Sequence, residues 1–255
     1  MTNMQSKPVA LITGANQGIG LQVARELRGH GFTVLLGSRN LERGEVAARK
    51  VGPDAIALQL DVTDKASIAR AADRIWKELG RLDVLINNAA ISHTGRQPEQ
   101  SVEQYASLSR PSNVSLDEVR TIFETNVFGV LAVTQAMLPL LRQAPAGRIV
   151  NVSSGAGSLT RYANPAQPGR SLFGPGYAAS KTALNAMTVA MAIELESTPI
   201  KVNSVSPGFV KTNLNNFAGT GTVDEGSREI VRVALLGSDG PTGAFTRWEN
   251  ETIPW

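Results

Sequence analysis

The 255-residue sequence predicts an α/β fold. A single doubly wound domain is expected, its parallel sheet of about seven strands covered by helices on both faces. Three observations lead there. Short apolar runs alternate with helix-length segments along the whole chain. The first apolar run ends in a glycine-rich turn that opens a helix. The segments between apolar runs are long enough for the crossover helices that parallel strands require. No repeat, low-complexity tract or linker divides the chain. One domain therefore spans residues 1–255, with 1–7 as a flexible N-terminal tail.

The elements follow in order. Pro8–Thr13 (PVALIT) is the first strand. Ile19, Val23 and Leu27 then recur at i, i+4 and i+8, and Gly31 stops that helix. Phe32–Gly37 is the second strand, followed by a polar helix near Leu41–Val51. Ala55–Leu60 is the third. The helix after it runs from about Asp64 to Leu79, with Ile68, Ile75 and Leu79 on its apolar face. Leu82–Asn87 is the fourth strand, and the polar stretch Ser92–Ser115 reads as a long excursion. Ser115 and Glu118 have capping-box spacing and open a long helix to about Arg142. Gly147–Ser154 is the fifth strand. A Pro/Gly-rich loop then leads through Gly174-Pro175-Gly176 to a helix ending near Ser197. Ile200–Ser206, a helix near Gly226–Leu236 and a short strand near Gly243–Thr246 complete the chain.

Composition narrows the function classes. Hydrophobic residues make up 42%, enough for a sizeable core. The formal charge is +3, without a basic stripe, so a nucleic-acid partner is not expected. There are no cysteines, which removes disulfides, thiolate metal sites and thiol nucleophiles. His30 and His93 are far apart, so no metal is expected. The short polar start is no signal peptide. The apolar stretch Val127–Leu141 is too short and too interrupted, by Thr134, Gln135 and Pro139, to span a bilayer. A cytoplasmic protein is the resulting expectation.

In a doubly wound sheet, ligands sit at the carboxyl ends of the strands. The first strand ends in TGANQGIG, with Gly14, Asn16, Gln17, Gly18, Ile19 and Gly20 in the turn. Glycines let backbone approach a ligand, and the helix N-terminus suits a pyrophosphate, so a dinucleotide is expected here. The second strand ends in Ser38, Arg39 and Asn40, with no acidic residue for ribose hydroxyls. Arg39 offers a cation for a 2′-phosphate, which favours NADP over NAD. Asp61-Val62 follows the third strand; Asp61 is placed either to accept from an adenine amino group or to cap the next helix. Asn87, Asn88, Ala89 and Ala90 follow the fourth, where small residues leave room for a flat ligand and the amides bond loop backbone or ribose. In the SPGFVKT segment after the sixth, Pro207-Gly208 turns the chain, and Val210 and Thr212 flank a cofactor ring.

Two further signals stand out. Tyr177 and Lys181 lie one helical turn apart and point the same way. Asn126 sits on the apolar stripe of Val119, Ile122, Phe123 and Val130. A buried amide there needs partners, either a neighbouring strand or a functional group.

These segments together, TGxxxGxG, Asp-Val, NNAA, the helical Asn, a strand-end Ser, YxxxK and PGxVxT, occur in one order. The chain resembles a short-chain dehydrogenase/reductase of the single-domain, Rossmann-type kind. The resemblance covers nearly its whole length. RNLERG and the aromatic C-terminal segment look most like the carbonyl-reductase branch. The resemblance implies an NADPH/NADP+-dependent oxidoreductase, NAD being the alternative cofactor, acting on a small-molecule ketone, aldehyde or alcohol. It implies a catalytic tetrad of Asn126, Ser154, Tyr177 and Lys181. Tyr177 would protonate the carbonyl oxygen. Lys181 would lower the phenol pKa and hold the nicotinamide ribose. Strand side chains alternate, so only one of Ser153 and Ser154 can face the site; by the resemblance it is the second, Ser154, which would orient the substrate. Asn126 would hold a water linking Lys181 to solvent.

Three departures qualify this. The Ser154–Tyr177 segment is longer than usual in the family; by analogy it obstructs helix-to-helix assembly and implies a monomer, a homo-oligomer being the alternative. Gln17 stands where NADP-preferring relatives often carry a basic residue. The Ser92–Ser115 excursion is long, and its His93 either approaches substrate or is a solvated loop residue. Two other functions share parts of the pattern: a nucleotide-binding regulator that has lost its chemistry, and an extended-type sugar-nucleotide epimerase or dehydratase.

Overall fold

The structure is a computed structural model that describes residues 7–94, 104 and 107–255. Its strands are β1 (Val9–Thr13), β2 (Thr33–Ser38), β3 (Ala55–Gln59), β4 (Val84–Asn87), β5 (Arg148–Val152), β6 (Lys201–Val205), β7 (Phe245–Arg247) and β8 (Glu251–Thr252). They form one sheet in the order β3-β2-β1-β4-β5-β6-β7-β8. Every pairing is parallel except β7 with β8. The eighth strand, an antiparallel return at the edge, is absent from the sequence expectation. It is too short to carry a period.

Residue alternation in β1 explains the two layers. Val9 and Leu11 join one core with Ile68, Ala71 and Ile75 of α3 (Lys65–Glu78). Ala10 and Ile12 join the other, with Val23, Ala24 and Leu27 of α1 (Gly18–Gly29) and Ala47 and Val51 of α2 (Leu41–Val51). The sheet is thus apolar on both faces, as parallel sheets require.

After β4 the helical rod runs as α4 (Leu116–Phe123), a π-turn at Glu124–Phe128, and α5 (Gly129–Leu141). The rod Leu116–Leu141 has 26 residues, long and apolar enough to cross a membrane by length and composition. This differs from the shorter interrupted stretch read in the sequence, because the helix continues through Thr134 and Pro139. Its apolarity has a packing reason: Val133, Met137, Leu140 and Leu141 are in the core. The capping box expected at its start does not form. Ser115 is the N-cap but makes no side-chain cap, and Glu118 instead accepts from the Thr94 backbone N–H at 3.4 Å.

Beyond β5 come α6 (Leu159–Ala163), α7 (Tyr177–Glu194) and, after β6, α8 (Val223–Ala234). The boundaries fall within a few residues of expectation, the usual reach of end effects. Residues 1–6 of the expected tail and part of the Ser92–Ser115 excursion lie outside the described residues.

Candidate active site

The first part of the site is the turn from β1 into α1. Gly14 and Gly18 have φ of 65° and 58°, a left-handed backbone that disfavours a Cβ. Gly20 is glycine for space: a Cβ would come 2.6 Å from Asn88 Nδ2 and 2.9 Å from the Gly14 carbonyl. Helix α1 opens without a side-chain cap at Gln17 and without an acidic residue in its first turn. Its first N–H groups and positive dipole end are therefore suited to an anion. The residues present fit the phosphates of a dinucleotide.

Thr13, which the sequence analysis passed over, locks this turn to β4. Its Oγ1 accepts from the backbone N–H of Asn88 (2.9 Å) and Ala89 (3.0 Å). Asn88 Nδ2 donates to the Thr13 carbonyl at 2.9 Å and weakly to Gly14 at 3.3 Å. Asn88 thus bonds loop backbone. Its neighbour Asn87 points the other way, donating to Thr134 Oγ1 (3.1 Å) and Asn151 Oδ1 (2.9 Å) inside the core. The half-buried Ala89 and Ala90 keep the adjoining floor small.

Around this turn the expected cofactor residues separate into three kinds. Some are committed to structure. Asn40 caps α2, accepting from Arg43 N–H at 2.8 Å, and Ser38 donates to the Asn40 carbonyl at 2.8 Å. Gln17 Oε1 accepts from Asn213 Nδ2 at 3.1 Å, tying the glycine turn to the segment after β6. Others keep free capacity. Arg39 is exposed at the end of β2. Asp61 Oδ1 accepts from Thr63 at 2.9 and 2.7 Å, while the following helix is capped by Asp64, which accepts from Ala66 N–H at 2.8 Å. The capping alternative for Asp61 is therefore corrected. The rest shape the walls. Val62 is buried, with its carbonyl packed against Gly129. Ile19, Pro207, Gly208, Val210 and Thr212 line the same cleft, and Thr212 Cγ2 lies 3.6 Å from a Cβ placed on Gly18.

The second part is the head of α7. Tyr177 is its first residue, and Lys181 is one turn on. Lys181 is 2% exposed; its Nζ donates to the Val152 carbonyl at 2.8 Å and lies 5.7 Å from the centre of the Tyr177 ring. Gly157 is packed against the Lys181 backbone, where a Cβ would meet the carbonyl carbon at 2.7 Å. At the end of β5 the two serines diverge as alternation requires. Both serines border the cleft, but Ser153 is buried and its hydroxyl donates to Asn185 Oδ1 at 2.6 Å, whereas Ser154 is half-buried beside Tyr177.

Burial sets the titration of this pair. Tyr177 is raised from 10.0 to about 12 by desolvation, with the Ser154 hydroxyl acting in the opposite sense. Lys181 is lowered from 10.5 to about 7 by desolvation. The expected net lowering of the phenol pKa is thus corrected. A cation favours a phenolate only as far as it is charged, and here the ammonium is itself discouraged.

Asn126 lies in the π-turn and is fully buried. Its Oδ1 accepts from Ile91 N–H (2.9 Å), and its Nδ2 donates to the Ile91 carbonyl (2.8 Å) and to Ser180 Oγ (3.0 Å). Both amide protons are spent on protein, so the side chain works as a clamp between the loop after β4 and α7. The expected water between Lys181 and solvent would then have to be held by the oxygens of Asn126, since its amide protons are taken.

Ile19 at the start of α1 and the head of α7 line one cleft of about 520 Å3. His93 lines it, as do Arg161, Tyr162 and Phe173 from the long segment before Tyr177, residues that no sequence periodicity singled out.

Comparison with known proteins adds ancestry to this geometry. A family profile described as short chain dehydrogenase matches residues 8–221. A short-chain dehydrogenase, anuI, of Penicillium roqueforti is 35% identical over 242 residues, covering 91% of this chain and 90% of that protein. Salutaridine reductase of Papaver bracteatum is 32% identical over 290 residues, covering 92% and 93%. The structure of NADPH-bound carbonyl reductase from chicken fatty liver superposes with a TM-score of 0.79 at 28% identity, covering 98% of this chain and 99% of that one.

Proposed function

We propose a reaction for this chain from one premise: it belongs to the short-chain dehydrogenase/reductase family of oxidoreductases. Members of that family bind nicotinamide cofactors, and the reductases similar to this chain act on carbonyls. The proposed reaction is NADPH-dependent reduction of a ketone or aldehyde to an alcohol. One observation carries it: Tyr177, Ser154 and Ile19 at the start of α1 line a single cleft, with Lys181 buried against the Tyr177 ring.

When bound, the nicotinamide supplies the hydride. The chain's own residues supply position and a proton. The glycine turn and the start of α1 receive the pyrophosphate. Asp61 Oδ2, which no described residue occupies, suits the adenine amino group. Arg39 is the cation for a 2′-phosphate. Ser154 orients the substrate oxygen, and Tyr177 delivers the proton to it. A phenol raised to about 12 is neutral at working pH, which is the form a proton donor needs. As the oxygen takes negative charge, Lys181 gains a reason to be charged and stabilises the phenolate left behind. Asn126 acts by position, holding Ile91 and Ser180 around this pair.

A substrate panel of activated ketones and aromatic aldehydes, run with NADPH and with NADH, tests the reading. Oxidation of NADPH with at least one carbonyl is expected. Arg39→Ala should raise KM for NADPH by roughly tenfold, the size of one charge-assisted contact, and leave NADH nearly unaffected. Equal losses with both cofactors would remove Arg39 from the phosphate site.

A further inference from the structure

The cleft before Tyr177 is largely apolar. The rings of Tyr162 and Phe173 sit 5.0 Å apart and form part of its wall with Ile122, Leu172 and Leu214. Into this surface three arginines project: Arg110, Arg161 and Arg247. Two have evident dispositions. Arg110 is exposed. Arg247 is committed to Glu251, donating from Nε and Nη2 at 2.7 and 2.5 Å.

Arg161 is different. It is half-buried, and its guanidinium makes no hydrogen bond or ion pair with any described residue. Its Nη1 lies 2.9 Å from where a Cβ on Gly155 would stand, and Gly155 directly follows Ser154. The charge is therefore held against Gly155, the neighbour in sequence of the serine proposed to orient the substrate. Nearby Glu251 attracts it but forms no hydrogen bond or close ion pair with it. That carboxyl is held below its ordinary pKa chiefly by Arg247, Arg161 contributing only a more distant attraction. His93 and Glu118 also line the cleft, and both have partners.

The position of Arg161 is built into the fold. Its backbone N–H donates to Ser158 Oγ at 3.2 Å, and Ser158 Oγ donates to the Pro254 carbonyl at 2.5 Å. Thr160 N–H donates to the Trp255 carbonyl at 2.9 Å, and Trp255 stacks on buried Phe245 at 5.3 Å. Helix α6 is thus strapped to the C-terminal segment, which fixes where the arginine starts. A half-buried arginine whose guanidinium has no protein partner at hydrogen-bond distance gains most from a bound carboxylate, which matches its fork with two parallel hydrogen bonds.

We propose that this cleft takes a carbonyl compound with an apolar body and a carboxylate, and that Arg161 selects it. The inference rests on the carbonyl-reductase reading above. Hydride from NADPH adds to the carbonyl carbon and the Tyr177 proton to its oxygen, giving a hydroxy acid; the carboxylate is unchanged and serves only for recognition. The apolar wall holds the body, and Arg161 holds the acid.

The test pairs 2-oxo-4-phenylbutanoate with its ethyl ester, and 4-formylbenzoate with its methyl ester. Each pair keeps its carbonyl and body and differs in charge. The native enzyme should favour the acid in at least one pair. In Arg161→Leu the acid-to-ester ratio of kcat/KM should fall at least about tenfold, with Arg161→Lys between the two. An unchanged ratio, or a native preference for both esters, overturns the proposal. If no carbonyl is reduced at all, the reaction assignment fails, and binding decides the rest. Calorimetric titration of 4-phenylbutanoate against 4-phenylbutanamide into the NADP+-saturated protein should favour the acid, and Arg161→Leu should erase that preference. Equal binding of acid and amide to the native protein overturns the proposal independently of turnover.

Discussion

Lys181 is the residue that departs furthest from its solution behaviour, and that departure is testable without a substrate. Its folded pKa is near 7 against 10.5 in solution. Between those values the unfolded chain binds more protons than the folded one, so stability rises with pH across that window. The burial penalty is fully present below about 7 and fades toward 10.5. We expect Lys181→Met to lack this slope. The difference in Tm between native and variant protein should move in favour of the native protein from pH 7 to pH 9.5, short of the range where Tyr177 titrates. Parallel Tm profiles would show that Lys181 is solvated. The sequence made Tyr177 and Lys181 legible as a pair through spacing alone. The sign of the phenol shift was not legible, because burial is set by what packs around the helix head: Gly157, Val152 and the strand ends.

Among the elements, the rod from Leu116 to Leu141 is the most instructive. Its apolar periodicity was readable, and so was the anomaly of Asn126 on the stripe. The π-turn at Glu124–Phe128 was not, since one extra residue in a turn leaves no periodic trace over so short a span. The turn places the amide where it meets both backbone groups of Ile91. Asn126→Ala would leave that N–H and carbonyl without partners, a cost of about 2–4 kcal/mol measured by urea unfolding. A change below about 0.5 kcal/mol would mean the clamp is not needed. Helix α7 shows a similar limit. Ser180, Asn185 and Thr188 are all buried, because this alanine-rich helix meets polar groups of the π-turn, of the end of β5 and of β6 as well as the core. An apolar-face argument has no means of anticipating a buried polar face.

For the whole molecule, the alternation of strands and helices was sufficient to place ligands at the carboxyl ends of a doubly wound sheet, and the cleft lies there. What it could not supply is the far wall. Arg161 and Tyr162 of the short α6 and Phe173 beyond it come from a segment without readable period, and the C-terminal strap that fixes α6 joins residues almost a hundred positions apart. The proposed substrate preference therefore rests on the part of the molecule least written in local pattern, and the proposed chemistry on the most patterned part. The two parts converge on the hydroxyl of Tyr177. Its replacement is accordingly the most direct test. With a carbonyl substrate that the native protein reduces, Tyr177→Phe should lower kcat by at least about 100-fold, the contribution of a placed general acid. NADPH binding, followed by fluorescence titration, should stay within about tenfold of native. Turnover at the native rate in this variant would contradict the account, because the proton would then come from elsewhere.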